Sequence, residues 1–250
     1  DSLAVVGYRA ATLASVMTGK LFHTPYNDDF KLIAFSDSVQ DAAHRAGFLG
    51  ANTWRQVVRQ AMVGWLREQR MDQPLKDMAE LLPAYWRARA GADRHFCGVF
   101  LPPNLAWHPD YRELTASGKL LPNSELPDLV SKRLAWECIA EFGRRSRVGR
   151  SLERTGIASV GFDARMLGRD LAVLVERLRE EVAPLQYLDD SVLNQFVLGL
   201  LQHFRQVGAI YDPVLDGYLS GKGNEFILNV KIKWMPGFGR SQRPPAAVTL

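Results

Sequence analysis

The period of the apolar positions changes along the chain, and each change marks an element. From Gly7 to Phe22, Ala11, Ala14 or Ser15, Met17 or Thr18, and Leu21 or Phe22 recur every three or four residues, predicting a helix with small residues on one side. His23 to Asp29 breaks that pattern with turn chemistry. Leu32-Ile33-Ala34-Phe35 then reads as a buried strand, Ser36-Asp37-Ser38 as a polar corner, and the alanine-rich run after it as a helix toward Gly47. A strand that turns directly into a helix presents free backbone N–H groups at the corner, which suits a phosphate. An ordinary βα corner of some other α/β protein is the competing reading. After Gly50, a second helix is predicted from Trp54, Val57, Val58, Ala61, Met62 and Trp65, ending between Arg70 and Pro74.

Residues 75–126 are the least regular, broken by Pro83, Pro102, Pro103, Pro109 and Pro122. Short helical pieces, one around Met78 to Tyr85, and long loops are expected there. From Pro127, Leu129, Val130, Leu134, Cys138, Ile139 and Phe142 form one apolar stripe, while Lys132, Glu137, Glu141 and Arg144 fall elsewhere on the wheel. Glu137 and Glu141 read there as solubilising partners of nearby arginines. The helix runs into Arg144, Arg145, Arg147, Arg150 and Arg154, five guanidinium groups within eleven residues. Such a cluster is either a solvated turn between helices or a phosphate-contact patch.

Asp163 is placed to cap a helix carrying Leu167, Leu171, Leu174, Leu178 and Val182. Asp189, Asp190 and Ser191 offer caps for another, with Leu193, Phe196 or Val197, Leu200 or Leu201, Phe204 and Val207 inward. Gln195, Gln202, His203, Arg205 and Gln206 are expected on its exposed side. The two helices should pack together. Beyond Gly208 the period becomes two: Phe226, Leu228, Val230 and Ile232 alternate with Glu225, Ile227, Asn229 and Lys231 behind the turn Ser220 to Asn224. Two helices and a glycine-tipped hairpin follow the order of a winged-helix module, with Lys222 at the wing. A winged helix can also serve as a packing module without touching nucleic acid.

Composition narrows the classes. With 250 residues and 47% apolar side chains, the chain can bury a sizeable core as a soluble globular protein. No apolar run has the length to span a bilayer, and the start lacks the features of a signal peptide, so a cytoplasmic location without a membrane partner is expected. Cys97 and Cys138 stand apart without ligand-spaced partners and read as buried thiols rather than a disulfide or a zinc site. A net charge of +4 permits a polyanionic partner. The beginning at Asp1, in mid-pattern, reads as a portion of a longer polypeptide. No GxxxxGK[ST], DEAD or DEAH tetrad, GxSxG or HExxH occurs.

The string FSDSVQDAAHRAGF resembles the FSDSxQDAAxxAGF stretch that opens the second RecA-like domain in large bacterial DEAD/DEAH-box helicases of superfamily two. In that family it is motif IV, which lies against the nucleic-acid backbone. RLAWExxxEFGxRSRxGRxLExTG, from Arg133 to Gly156, resembles a segment downstream of motif IV in the same group. The arginines are not motif VI: Gly143 and Gly149 lie six apart, against three in QxxGRxGR.

The resemblance implies backbone contacts from Ser36, Ser38 and Gln40. Asp37 and Asp41 would cap and orient the corner, with His44 and Arg45 on its helix. Polyanion attraction would come from Arg144, Arg145, Arg147 and Arg150, and a wing contact from Lys222. It further implies ATP hydrolysis coupled to movement on DNA in a complete protein whose Walker A and B motifs lie upstream and motif VI downstream. ATP and Mg2+ are then held by the remainder of the helicase and no cofactor by this chain. Some helicases of this kind serve bacterial phage defence.

The expected fold is mainly α with a minor β component. Residues 1–60 would be part of the second RecA-like domain, 61–125 an irregular insertion, 126–182 a helical region with the arginine cluster, 183–238 a winged-helix-like module, and 239–250 a connector. The expected function is a nucleic-acid-gripping portion of an ATP-dependent helicase or translocase without its own ATP site. The alternative is a stand-alone winged-helix DNA-binding or protein-interaction module without ATPase activity. A metabolic α/β enzyme is disfavoured, because a single clear strand ahead of the hairpin cannot build a parallel sheet with a switch-point pocket.

Overall fold

The structure, a computed structural model, describes residues 17, 20–21, 39–69, 72–105, 108–143, 151–206 and 212. It is mainly helical, and no strand occurs among the described residues. The strand expected at Leu32 to Phe35, the helix before it and the hairpin around Lys222 lie outside them or are touched only at isolated positions.

Helix α1 is Val39–Glu68, a single helix of 30 residues. The expected break between Gly47 and Gly50 is therefore absent. Glycine lowers helix propensity by about 1 kcal/mol, which a helix anchored by tertiary packing can absorb. The anchor is the stripe Trp54, Val58, Ala61, Met62 and Trp65, all buried. Gly64 belongs to the same surface: a Cβ there would lie 3.2 Å from the Trp86 ring.

Three helices occupy the stretch where short helical pieces and long loops are expected: α2 Leu75–Arg89, which contains and extends the piece expected around Met78 to Tyr85, α3 Asp93–Phe100 and α4 Pro109–Ser117. The prolines mislead because most sit where a helix tolerates them. Pro109 opens α4, where its missing N–H would have had no partner in the helix. Pro103 starts a 3-10 turn, Pro103–Leu105. Pro83 lies inside α2, buried against the core. At the N-terminus of α4 the buried His108 accepts at Nδ1 from the Asp110 N–H at 3.3 Å. At its other end Gly118 adopts φ 69° and donates to the Leu114 carbonyl, the αL stop that favours glycine.

Helix α5, Leu126–Gly143, is the centre of the main core. Leu129, Val130, Leu134, Cys138, Ile139 and Phe142 are all buried, as the stripe predicts. Leu126 and Trp136 are buried as well, so α5 is covered on most sides by α1, α2 and α3. Two indoles stitch the layers: Trp54 Nε1 donates to the Phe100 carbonyl at 2.9 Å and Trp86 Nε1 to the Ala61 carbonyl at 3.1 Å.

Arg87 joins three helices at the rim. Its Nε and Nη2 donate to Asp93 at 2.6 and 2.7 Å, and its Nη1 donates to Asp128 at 2.9 Å. Those donated hydrogen bonds hold the Asp93 carboxyl below the usual carboxylate range, against a raising effect of partial burial. A carboxyl with a lowered folded pKa contributes stability that is full above its unfolded value, about pH 4, and is lost as pH falls through the folded value. Thermal melts in acid should show that loss, and Asp93→Asn should flatten the acid limb. An acid limb of unchanged slope would show that the pair carries no linkage.

Both cysteines are buried free thiols. Burial pushes the Cys97 thiol up to about 12, and it pushes Cys138 upward too. Since the thiolate is the reactive form, native chain should give no reaction with a disulfide reagent at pH 8, and denatured chain should give two equivalents. Prompt reaction of either thiol in the native chain would contradict this packing.

Helices α6, Ala164–Glu181, and α7, Asp190–Gln206, pack on each other as expected. Their cluster of Leu171, Val175, Leu193 and Val197 is separate from the main core. Val175 takes the inward place expected for Leu174, which is 39% exposed, and Val197 rather than Phe196 faces in. Arg179 ties the pair at one end through an ion pair with Asp190.

Candidate nucleic-acid interface

The candidate site is the arginine-bearing segment that follows α5. Arg144, Arg145, Arg147 and Arg150 lie outside the described residues, as do Ser36, Asp37, Ser38 and Lys222. Gln40, Asp41, His44 and Arg45 all fall within the first two turns of α1, so the structure brings these four onto one helix end. Arg154, the fifth member of the cluster, is described and exposed. The two stems of the segment are also described, and each carries an ion pair with a buried arginine.

On the entering stem, Arg59 of α1 donates from Nε to both carboxylate oxygens of Glu141, at 3.0 and 3.1 Å. The side chains are 7% and 8% exposed. Glu141 Oε1 also accepts from the Leu152 N–H at 2.7 Å, across the segment. One carboxylate therefore fixes α5 to α1 and closes the segment on itself. Such a pair is costly to desolvate and holds only when its remaining lone pairs are satisfied, as the Leu152 amide does here.

On the leaving stem, Glu153 receives Arg205 from α7. Arg205 Nη2 donates to Glu153 Oε1 at 2.6 Å and Nη1 to Oε2 at 3.2 Å. Nη1 also donates to the carbonyl of Phe142, on the entering stem. The Nε of Arg205 donates to Gln202 Oε1 at 3.1 Å, and Gln202 Nε2 donates to the Val160 carbonyl at 3.1 Å. All three guanidinium nitrogens are engaged, and Arg205 is 3% exposed.

A third cation, Arg133, is buried eight residues before Glu141 on the same helix. Arg133 donates to Glu137 at 2.7 Å and lies over the Trp54 and Trp136 rings, 5.2 and 5.3 Å from their centroids. Desolvated cation–π contacts of this kind contribute about 2 kcal/mol or more.

Several expectations are corrected here. Glu137 and Glu141 are not solubilising residues: their side chains are 13% and 8% exposed and each neutralises a buried arginine. Arg205 and Gln202 do not lie on the open face of α7 but turn inward to the stems. The local pattern points to neither Arg59 nor Glu153, because their partners stand 82 and 52 residues away. One signal was available: Val130, Leu134, Glu137 and Glu141 follow a four, three, four spacing, which puts the two acids in line with the core stripe.

Each charged or aromatic residue of RLAWExxxEFG and LExTG that the structure describes in detail thus has a part in holding the stems: Arg133, Trp136, Glu137, Glu141, Phe142 and Glu153. Among the described residues no group of three His, Cys, Asp or Glu is placed to hold a metal ion, and no helix is long and apolar enough to cross a membrane. No protein-family model, curated protein or solved structure matches the chain.

Proposed function

We propose that this chain is the nucleic-acid-gripping portion of a superfamily-two helicase or translocase, and that the segment bearing Arg144, Arg145, Arg147 and Arg150 meets the DNA backbone. The observation that carries the reading is a pair of ion pairs at the two ends of the most cationic stretch of the chain: Arg59–Glu141, buried on both sides, and Arg205–Glu153, in which the arginine is buried and the carboxylate partly exposed. A solvated charged turn needs no such support, whereas cations that must meet phosphates at a fixed spacing gain from stems whose position is set.

In this reading the FSDS corner, with Ser36, Ser38 and Gln40 against the backbone and Asp37 and Asp41 orienting it, belongs to a partial RecA-like βα unit. His44 and Arg45 extend that contact along the start of α1. Helices α6 and α7 and the residues after them form a winged-helix-like module with Lys222 at its wing. ATP and Mg2+ are held by the remainder of the polypeptide, in which hydrolysis drives movement.

The test is binding of this chain to labelled single-stranded and duplex DNA at low salt, with ATP hydrolysis followed in the same samples. Binding that weakens steeply with salt, without ATP turnover, is expected. No binding to either DNA at low salt would overturn the assignment and leave a scaffold or protein-interaction role.

A further inference from the structure

The C-terminal helical pair is attached to the rest of the molecule in an unusual way. Its apolar cluster, Leu171, Val175, Leu193 and Val197, is not continuous with the core around α5. The N-terminal half of α7 leaves Val192 and Phe196 about half exposed, at 45% and 47%, so that half is not seated on the main core. Among the described residues, the hydrogen bonds that join the two bodies sit at the C-terminal end of α7: Arg205 to Glu153 and to the Phe142 carbonyl, and Gln202 to the Val160 carbonyl.

The chain between the bodies is built to bend. Ala158 and Val160 still pack on the main core, but Gly161, Phe162 and Asp163 are exposed. Five residues on, Gly168 interrupts α6 with φ 37° and ψ −111°. That backbone conformation is strained for any side chain, and the helical ladder is broken at the same point.

We infer that Arg205 is a latch: it holds the α6–α7 pair shut against the main core, and residues 161–168 are the joint about which the pair swings when the latch opens. The two ion pairs differ in where they sit: both partners of Arg59–Glu141 are buried, whereas the Glu153 side chain that meets the buried Arg205 is 23% exposed. Arg59 and Glu141 lie within one packed core, so loss of either strands a charge that water reaches only by unfolding. Glu153 lies between two bodies, so loss of Arg205 is relieved by separating them, which returns the carboxylate to water while both apolar clusters stay packed. Since Arg205 grips Phe142 and Glu153 together, movement of the pair is transmitted to both stems.

The experiment is a spin-label distance measurement on the full chain, with labels at the exposed positions Glu113 of α4 and Glu180 of α6 (Glu113→Cys, Glu180→Cys), the buried native thiols being inert. The chain with Arg205 should give one narrow distance distribution. Arg205→Met should add a second, longer population, while the melt followed by tryptophan fluorescence, to which four of the six tryptophans, Trp54, Trp65, Trp86 and Trp136, contribute from the main core, stays unchanged in a Trp107→Phe, Trp234→Phe background. Arg205→Lys, which keeps one charge but not the three-way hold, should give an intermediate mixture. An unchanged distribution in Arg205→Met, or a distribution that changes only with a lowered tryptophan melt, would overturn the latch. No DNA is present in the measurement, so its result stands apart from the nucleic-acid reading.

Discussion

Glu141→Gln is expected to destabilise the chain by about 3–5 kcal/mol, the range for removing one partner of a buried ion pair. For a chain of this size each kcal/mol lowers the melting temperature by roughly 2–4 °C, so the fall should be roughly 6–20 °C. The cause is not the lost attraction alone. Arg59, with a side chain 7% exposed, keeps its charge when Glu141 is neutral and has no water to compensate it. Arg59→Met should cost a similar amount, because it strands the carboxylate instead.

The double variant Arg59→Met with Glu141→Leu should recover much of the loss, since an apolar pair of similar volume fills the same space without a desolvation cost. The recovery should be incomplete. The Leu152 N–H, which donates to Glu141 at 2.7 Å, loses its acceptor in the double variant, at a cost of about 1–3 kcal/mol. If both single variants melt within a degree of the parent, the pair is not the buried element described. If the losses simply add in the double variant, the two residues do not act on one another.

The second large effect concerns binding. Replacing Arg144, Arg145, Arg147 and Arg150 together with glutamine should remove up to four phosphate neutralisations. Each contributes about 0.9 to the slope of log affinity against log salt on duplex DNA, so the slope should flatten by about 3.6. A slope of that size alone is worth about 10²-fold in affinity between 50 and 200 mM salt. The melting temperature should not move, because Arg59 and Arg205 hold the stems and are kept in this variant. An unchanged salt slope would remove the segment from the interface, and a lowered melt with lost binding would assign it to the fold instead.

How much of this could be read beforehand depends on how local each feature is. The stripe of α5 was legible because all six of its apolar positions serve one core and lie within fourteen residues. The packing of α6 on α7 was legible for the same reason, although the four, three, four spacing picked Leu174 where Val175 is buried, and Phe196 and Val197 were left open. The continuity of α1 was not, since Gly47 and Gly50 carry a local signal for a break that packing from Trp54 onward outweighs. Between residues 75 and 117 the piece around Met78 to Tyr85 was legible, while the full length of α2 and the start of α4 were obscured by Pro83 and Pro109, since a proline marks a start as readily as an end.

The stems show the limit most clearly. A buried arginine and a surface arginine look alike in sequence, and what separates them is a carboxylate brought from 52 or 82 residues away. The arginine cluster itself was visible as charge. That its neighbours Glu141 and Glu153 meet Arg59 and Arg205 depends on a fold that α1, α5 and α7 make together.

We place nucleic acid, as proposed, on the stretch between Glu141 and Glu153. Amide hydrogen exchange of the chain with and without a bound oligonucleotide at low salt would locate it. Protection should concentrate between residues 143 and 156, with the amides of α2 and α3 unchanged. Protection elsewhere, with residues 143–156 exchanging as in the free chain, would remove nucleic acid from this stretch.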